Sequence, residues 1–314
     1  MNPAFSVIFF TTSSGAGYGM LMWLGVLAAA AELPAQRGFL LLALGVAFVL
    51  VSLGLLASTL HLGHPERAWR AFSQWRSSWL SREGIAAIVC FVPLGVAAVR
   101  WVWWGESSSI DRLIGGLLAL SALVTVYCTA RIYSSLKTID AWQHALVVPG
   151  YLGLSLVSGA LLLLPIAVWS LGEIAYDWPR IALLVATLTL AAGILKARYW
   201  QQLAHLPARS TMNSATGLPG ALSSFERPHT EDNYLLNEMG FRLGRKHATR
   251  LRRMSLWLAF IFPIGLLILL GWLSSNWFVA ILGASALIAA LGISIERWLF
   301  FAEAKHVVRL YYDV

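Results

Sequence analysis

Long apolar runs alternate with short polar stretches along almost the whole chain. A helix needs roughly 18 to 25 mostly apolar residues to cross about 30 Å of hydrocarbon. Eight runs of this kind occur, at about 6–31, 38–61, 84–104, 110–131, 145–170, 178–196, 253–274 and 277–295. The pattern predicts an all-α integral membrane protein, a single membrane domain over 1–314 folded as an eight-helix transmembrane bundle.

Composition supports the same fold class. The 314 residues are 58% hydrophobic and 12% charged, which excludes a soluble domain that covers its core with charge. No basic residue precedes the first apolar run, and no cleavage site of small residues follows it at the usual distance. We therefore expect the first run to be retained as a span.

Charge is distributed very unevenly between the two predicted faces. An even number of spans puts both termini on one side, which we call face A, and 19 of the 23 Lys and Arg residues fall there. Because basic residues are retained in the cytoplasm during insertion, face A and both termini are predicted to be cytoplasmic. We expect a multi-pass protein of the bacterial cytoplasmic (inner) membrane, with membrane lipids and no nucleic acid as partners of the basic surface.

The positions of the seven histidines indicate whether the protein can ligate a haem. All of them fall on or beside face A: His61, His64, His144, His205, His229, His247 and His306. An embedded haem needs ligands projecting from within the spans, so we predict no haem. Cys90 and Cys128 cannot supply four ligands to an iron–sulfur cluster, so we also predict no metal site. The span interiors are almost free of charge, which argues against a transporter.

The loop after the second run carries the first concentration of polar residues. Pro65 suits the first turn of a helix, and Glu66 lies near its positive end. Its aromatic residues recur at three- or four-residue intervals: Trp69, Phe72, Trp75 and Trp79. This spacing predicts an amphipathic helix in the membrane interface. Ser81 is expected to cap the third span, with Glu83 in its first turn.

His61 and Glu83 end one span and begin the next on the same face. Quinone chemistry moves two electrons and two protons, so its site needs groups that hydrogen-bond the ring oxygens and exchange protons near neutral pH. His61 and Glu83 could flank one quinone ring, with Arg67 biasing the charge of Glu83. Alternatively, His61 only anchors a helix end and Glu83 only caps the next helix.

Three sequence motifs carry a family resemblance: LHLGHPERAW at 60–69, SREG at 81–84 and ARIYSSL at 130–136. They resemble the membrane anchor subunits of dimethyl sulfoxide reductase-type molybdoenzymes, across all eight spans. The resemblance implies partners, namely a molybdopterin catalytic subunit and an iron–sulfur subunit that hold those cofactors, while the anchor exchanges electrons with quinone. It implies these quinone-binding and proton-relay residues: His61, His64, Arg67, Glu83, Arg131 and Tyr133.

The segment 201–252 departs from the shorter reductase anchors. Thr230 is expected to begin a basic amphipathic helix on face A, within an extended cytoplasmic loop. The helix either satisfies the insertion rule and binds lipid or docks a soluble partner through Arg242, Arg245, Lys246 and Arg250. SATGLPG at 214–220 and PHTEDNYLLNEMGF at 228–241 are similar to the anchors of membrane-bound sulfite dehydrogenases, whose catalytic subunits face the cytoplasm.

These observations predict an anchor subunit, not catalytic alone, that passes electrons from sulfite oxidation to ubiquinone or menaquinone. One alternative is the quinol-oxidising anchor of a dimethyl sulfoxide or related reductase. The other is a purely structural anchor without a quinone site.

Overall fold

The computed structural model describes residues 3–60, 62–104, 108–206, 210–222, 225–226 and 247–311, and within these ranges it is helical, with no strand. The first six helices are α1 (Phe5–Ala29), α2 (Arg37–Thr59), α3 (Trp79–Val99), α4 (Ser109–Ser134), α5 (Val147–Leu171) and α6 (Trp178–Ala204). A short helix α7 (Met212–Thr216) follows, then α8 (Ala248–Trp272) and α9 (Phe278–Ala302).

Two of these spans contain irregular turns. A π-helical turn, Arg100–Trp104, extends α3. The α-helical pieces of α8, Ala248–Leu256 and Phe262–Leu269, are joined by another π-helical turn, Trp257–Ile261. Such turns re-satisfy backbone groups inside a span without breaking it.

Seven helices of the described residues are long and apolar enough to cross a membrane: α2, α3, α4, α5, α6, α8 and α9. Helix α1 is not among them, although it is 25 residues long and carries no charged residue. Its serines, threonines, glycines and tyrosine lower its mean hydropathy. The predicted count of eight spans therefore depends on whether α1 crosses the membrane.

Helix α1 packs mainly against α2, α4 and α5, and it also contacts α9. Most of its residues are buried, which explains how it tolerates so many small polar side chains. Glycine permits its closest approach, because a Cβ atom on Gly19 would collide with the backbone of Ser155 and one on Gly159 would collide with the backbone of Gly19. Small residues at helix crossings are the usual basis of tight packing between helices in lipid.

Three spans form a second group beside α5, while α3 packs against α4. Helix α8 packs against both α6 and α9, and α5 contacts α6 and α9 as well as α1. Large apolar side chains on the outer faces, such as Val92, Leu184 and Leu287, are more than half exposed. These exposed apolar faces suit contact with lipid hydrocarbon.

Two predicted span limits were too short. The sixth and eighth runs were expected to end at 196 and 295, but α6 continues to Ala204 and α9 to Ala302. Apolar and aromatic residues follow the charged ones in both helices, so burying them favours further helical turns. Lys196, Glu296 and Arg297 therefore lie inside helices and are buried.

Candidate functional site

The beginning of α3 differs from the prediction in one respect. Ser78 is the N-cap, and its hydroxyl accepts a hydrogen bond from the backbone N–H of Ser81. The prediction that Ser81 caps this helix was wrong, because the helix starts earlier, at Trp79, and includes Ser81. Glu83 consequently lies one turn further into the helix than expected, in a buried position.

The predicted interfacial helix is present as a 3-10 helix, Pro65–Gln74, without a buried residue. Three side chains fix this segment to α3. The Ser81 hydroxyl donates to the carbonyl of Ala71, and the Arg82 guanidinium donates to the carbonyls of Trp75 and Arg76 at 2.8 and 2.6 Å. The ring of Phe72 lies against Gly84, where a Cβ atom would come within 2.9 Å of it. The segment therefore covers the first turns of α3.

Glu83 is only 6% exposed and faces α4. The Thr129 hydroxyl donates to Glu83 Oε1 at 3.3 Å. Tyr133 follows Thr129 by one turn on α4, and Tyr18 is 2% exposed on α1, which packs against α4. Among the described residues no cation forms an ion pair with Glu83. A buried carboxylate without a cation is costly to ionise, so this position suits a group that binds and releases protons.

Unpartnered hydrogen-bond groups surround this carboxylate. The Tyr18 hydroxyl and Arg131 Nε are buried and make no hydrogen bond to the described part of the protein. Arg131 lies over the Trp79 ring at 5.0 Å, and Trp79 is one turn before Glu83 on α3. Buried donors normally have partners, so unpartnered ones point to a ligand or water. Together they can supply hydrogen bonds to a polar ring group beside Glu83.

The other predicted residues of the first polar loop form a separate, exposed group. His64 Nδ1 is 3.0 Å from Glu66 Oε1, and Arg67 Nε is 3.7 Å from the same oxygen. The ion pair that the structure shows for Arg67 is thus with Glu66 and not with Glu83. Since all three side chains are more than half exposed, this group is worth little in stability. His61 lies outside the described residues.

Tyr133 connects the Glu83 region to an aromatic cluster. Its ring stacks on Tyr151 with centroids 5.8 Å apart, and it meets the edges or faces of Trp142, Phe300 and Phe301 at 5.2 to 5.5 Å. Trp142 Nε1 donates to the carbonyl of Phe300 at 2.9 Å, which fixes the 135–146 loop against α9. The predicted residue Tyr133 therefore lies between Glu83 and the second half of the bundle.

A buried ionic cluster, Lys196, Glu296 and Arg297, lies beyond this aromatic cluster. Lys196 Nζ contacts Glu296 Oε1, and Arg297 Nε is 2.6 Å from Glu296 Oε2. The Arg297 guanidinium lies 3.9 Å above the Tyr151 ring. Sequence reasoning missed this cluster because it ended the spans at 196 and 295. The available signal was a charged residue followed by further apolar residues at helical spacing.

Of the predicted docking residues, Arg250 lies exposed near the start of α8, while Arg242, Arg245, Lys246 and the expected cap Thr230 lie outside the described residues. Arg250 borders an open groove with Arg253 and Trp257. In the described part of the protein no three His, Cys, Asp or Glu residues group as metal ligands would.

Comparisons with known proteins agree on the family. Residues 1–302 match the family of the DMSO reductase anchor subunit (DmsC). The protein is 34% identical to a sulfite dehydrogenase subunit of Allochromatium vinosum over 328 aligned positions, covering 100% of this sequence and 99% of that relative. It is also 28% identical over 122 residues to a subunit of the anaerobic dimethyl sulfoxide reductase of Escherichia coli, covering 37% of this sequence and 40% of that one. The protein therefore belongs to the DMSO reductase anchor subunit family.

Proposed function

We propose that this subunit anchors a molybdoenzyme complex to the bacterial cytoplasmic membrane and binds quinone beside Glu83. An iron–sulfur subunit and a molybdopterin catalytic subunit would be its partners and would hold those cofactors. The anchor itself would catalyse nothing alone. Its task would be to bring the quinone to a place where electrons arrive from the iron–sulfur partner and protons arrive from water.

One observation carries this proposal, the burial of Glu83 among unpartnered donors. Bound quinone accepts hydrogen bonds at both ring oxygens and takes up two electrons and two protons when it is reduced. The Tyr18 hydroxyl and Arg131 Nε are buried donors near Glu83 without partners among the described residues, as such a ligand needs. Trp79 and Phe72 supply aromatic surface at the same end of α3. The residues present therefore fit a quinone.

Each residue then has a distinct task. Tyr18 and Arg131 would orient the ring by donating hydrogen bonds. Glu83, protonated when buried without a cation, would donate a proton toward a ring oxygen and regain it from the cytoplasmic side. Thr129 would hold the carboxyl group in place through its hydroxyl. His61 and His64 belong to the adjoining loop motif and would accept protons for the site.

We propose the following topology. Helix α1 would be an eighth span, since it is 25 residues long, carries no charge and lies among the other spans. Both termini and the basic loops of face A would then be cytoplasmic, as the distribution of Lys and Arg favours. The catalytic partners would dock on this face, with the basic segment before α8 and its exposed Arg250 as a contact. Protons would be taken up on the side where sulfite oxidation releases them.

We infer that sulfite is the electron donor. The relative aligned over the full length is a sulfite dehydrogenase subunit, whereas the dimethyl sulfoxide reductase subunit aligns over 37% of this sequence. The same geometry would serve quinol oxidation in a reductase, which is the second candidate. A structural anchor without a quinone site is the third, and it leaves the unpartnered donors around Glu83 unexplained.

The test is electron transfer from sulfite to quinone in membranes that hold the whole complex. We expect Glu83→Gln to lower it by about 10² or more, the usual size of a general acid–base effect. His61→Ala should also lower it. Sulfite oxidation with an artificial soluble acceptor should persist in both variants, because the molybdenum site lies in the partner subunit.

Two controls make the outcome decisive. The iron–sulfur subunit must stay membrane-bound in each variant, and Glu32→Gln should behave like wild type because Glu32 is an exposed carboxylate in the loop between α1 and α2, at the other end of the helices from Glu83. Unchanged quinone reduction in Glu83→Gln would refute the quinone site. Loss of activity with both acceptors would show instead that Glu83 supports assembly.

A further inference from the structure

The ionic cluster of Lys196, Glu296 and Arg297 is unusual because it is buried and unbalanced. The side chains are 7%, 0% and 4% exposed. Two cations meet one anion here, and the nearby Glu303 is already paired with Arg252 at 2.8 Å. Burying an uncompensated charge in a span is expensive, and such residues in membrane proteins usually belong to ion or proton pathways. Lysine can release a proton in this setting, whereas arginine cannot.

A small cavity of about 10 Å³ adjoins this cluster and has room for about one water molecule. Its walls include Tyr151, Lys196 and Arg297, and the first turn of α5 forms another side of it. Two polar groups at this place, the Tyr151 hydroxyl and Arg297 Nη1, are buried without a hydrogen-bond partner among the described residues. A cavity that adjoins unsatisfied donors and acceptors can hold an ordered water.

Packed side chains lead from the cavity toward Glu83. Arg297 lies over the ring of Tyr151, and Tyr151 stacks on Tyr133 at 5.8 Å. Tyr133 lies one helical turn after Thr129 on α4, and the Thr129 hydroxyl donates to Glu83 Oε1 at 3.3 Å. A tyrosine hydroxyl can accept one proton while donating another, so it passes protons without changing its own charge.

We propose that the ionic cluster and these two tyrosines form a proton entry route from face A to Glu83. Lys196 releases a proton that the hydroxyls of Tyr151 and Tyr133 relay to the Glu83 carboxylate, and water at the cavity then returns a proton to Lys196. Arg297 stays charged and holds Glu296 and Tyr151 in position. Each quinone reduced uses two such protons together with two electrons from the iron–sulfur partner, so the route itself is left unchanged.

The destination of this route rests on the proposed function, but its existence can be tested without quinone. The probe is hydrogen–deuterium exchange of the Glu83 carboxyl group after transfer of the full-length protein in lipid nanodiscs to heavy water. The infrared band of the protonated carboxyl is assigned by its loss in Glu83→Gln. In Tyr151→Phe and in Lys196→Met we expect exchange slower by about tenfold or more.

These variants are chosen so that the fold survives. Phenylalanine keeps the ring that stacks on Tyr133, and Lys196→Met leaves Glu296 paired with Arg297 as a neutral pair. Tyr199→Phe is the matched control. Tyr199 borders the same cavity, but its hydroxyl is committed to the carbonyl of Ala141 at 3.0 Å, so its loss should not slow exchange.

The outcomes separate the two proposals. Slow exchange in Tyr151→Phe and Lys196→Met with normal exchange in Tyr199→Phe supports the route, whatever Glu83→Gln does to quinone reduction. Exchange as fast as wild type in both variants overturns it, and a lowered thermal stability alone would identify the cluster as a structural link between α6 and α9. Equal slowing in all three variants also overturns the route, since it indicates that the whole region has become less accessible to solvent.

Discussion

His306 lies where the C-terminal segment meets the loop between α4 and α5. Its Nδ1 accepts a hydrogen bond from Val308 N–H at 3.2 Å, and Val307 N–H donates to the Thr138 carbonyl at 3.0 Å. Burial lowers the pKa of His306 below its ordinary value of 6.5. When the C-terminal segment is detached, His306 binds a proton at a higher pH than when the segment is packed. Packing of the segment is therefore complete above pH 6.5 and weakens as the pH falls below it.

We expect amide hydrogen exchange in residues 303–310 to speed up below pH 6.5, after correction for intrinsic rates. His306→Asn keeps an acceptor but does not titrate, so its corrected exchange should be independent of pH. A pH dependence that survives in this variant would contradict the assignment to His306.

Some residues of the candidate site could be predicted from the sequence and others could not. Glu83 was predicted as a site residue from its place before an apolar run, and it does lie buried near the end of a span. Thr129 and Tyr18 were not predicted, because their relation to Glu83 depends on how α1 and α4 pack against α3. Arg67 was placed with Glu83 from proximity in sequence, but in the structure it turns toward Glu66 at the exposed surface.

At the scale of elements, the approach of α1 to α5 depends on glycine. Gly19→Ala places a methyl group against the backbone of Ser155, which cannot move without shifting α5. We expect a loss of about 1–3 kcal/mol in the free energy of unfolding, the usual cost of overpacking. Thermal unfolding in detergent measures it. Gly45→Ala on the lipid-exposed face of α2, where a Cβ atom meets nothing within 4 Å, is the control and should unfold like wild type.

Helix positions follow closely from apolar run length, because crossing hydrocarbon demands it. Helix ends follow less well. The run 178–196 was ended at the charged residue Lys196, although α6 continues to Ala204 with Tyr199 and Trp200 buried. A charge ends a span only where it meets water, and Lys196 instead meets Glu296 on another helix. Partners on distant helices are not visible in a linear pattern, so the ionic cluster was missed.

At the scale of the whole molecule, the candidate site and the most basic loops lie at the same end of the helices, where the proposed partners would dock. Glu83, Tyr133 and the ionic cluster all lie toward face A, the end that bears the loops richest in Lys and Arg. Electrons from a soluble partner docked there would travel a short distance to the quinone, and protons would enter from the same side. This arrangement requires that face A be cytoplasmic and that α1 cross the membrane.

Single-cysteine labelling with a membrane-impermeant thiol reagent tests this topology. The native Cys90 and Cys128 are buried, so their background reaction should be low. We expect Gln36→Cys and Asn276→Cys to react from outside intact spheroplasts. Ala4→Cys and Thr211→Cys should react only in inside-out vesicles. Outside labelling of Ala4→Cys would mean that α1 does not cross and that seven spans separate the termini. Outside labelling of Thr211→Cys would place face A, and with it the proposed docking surface, on the exported side.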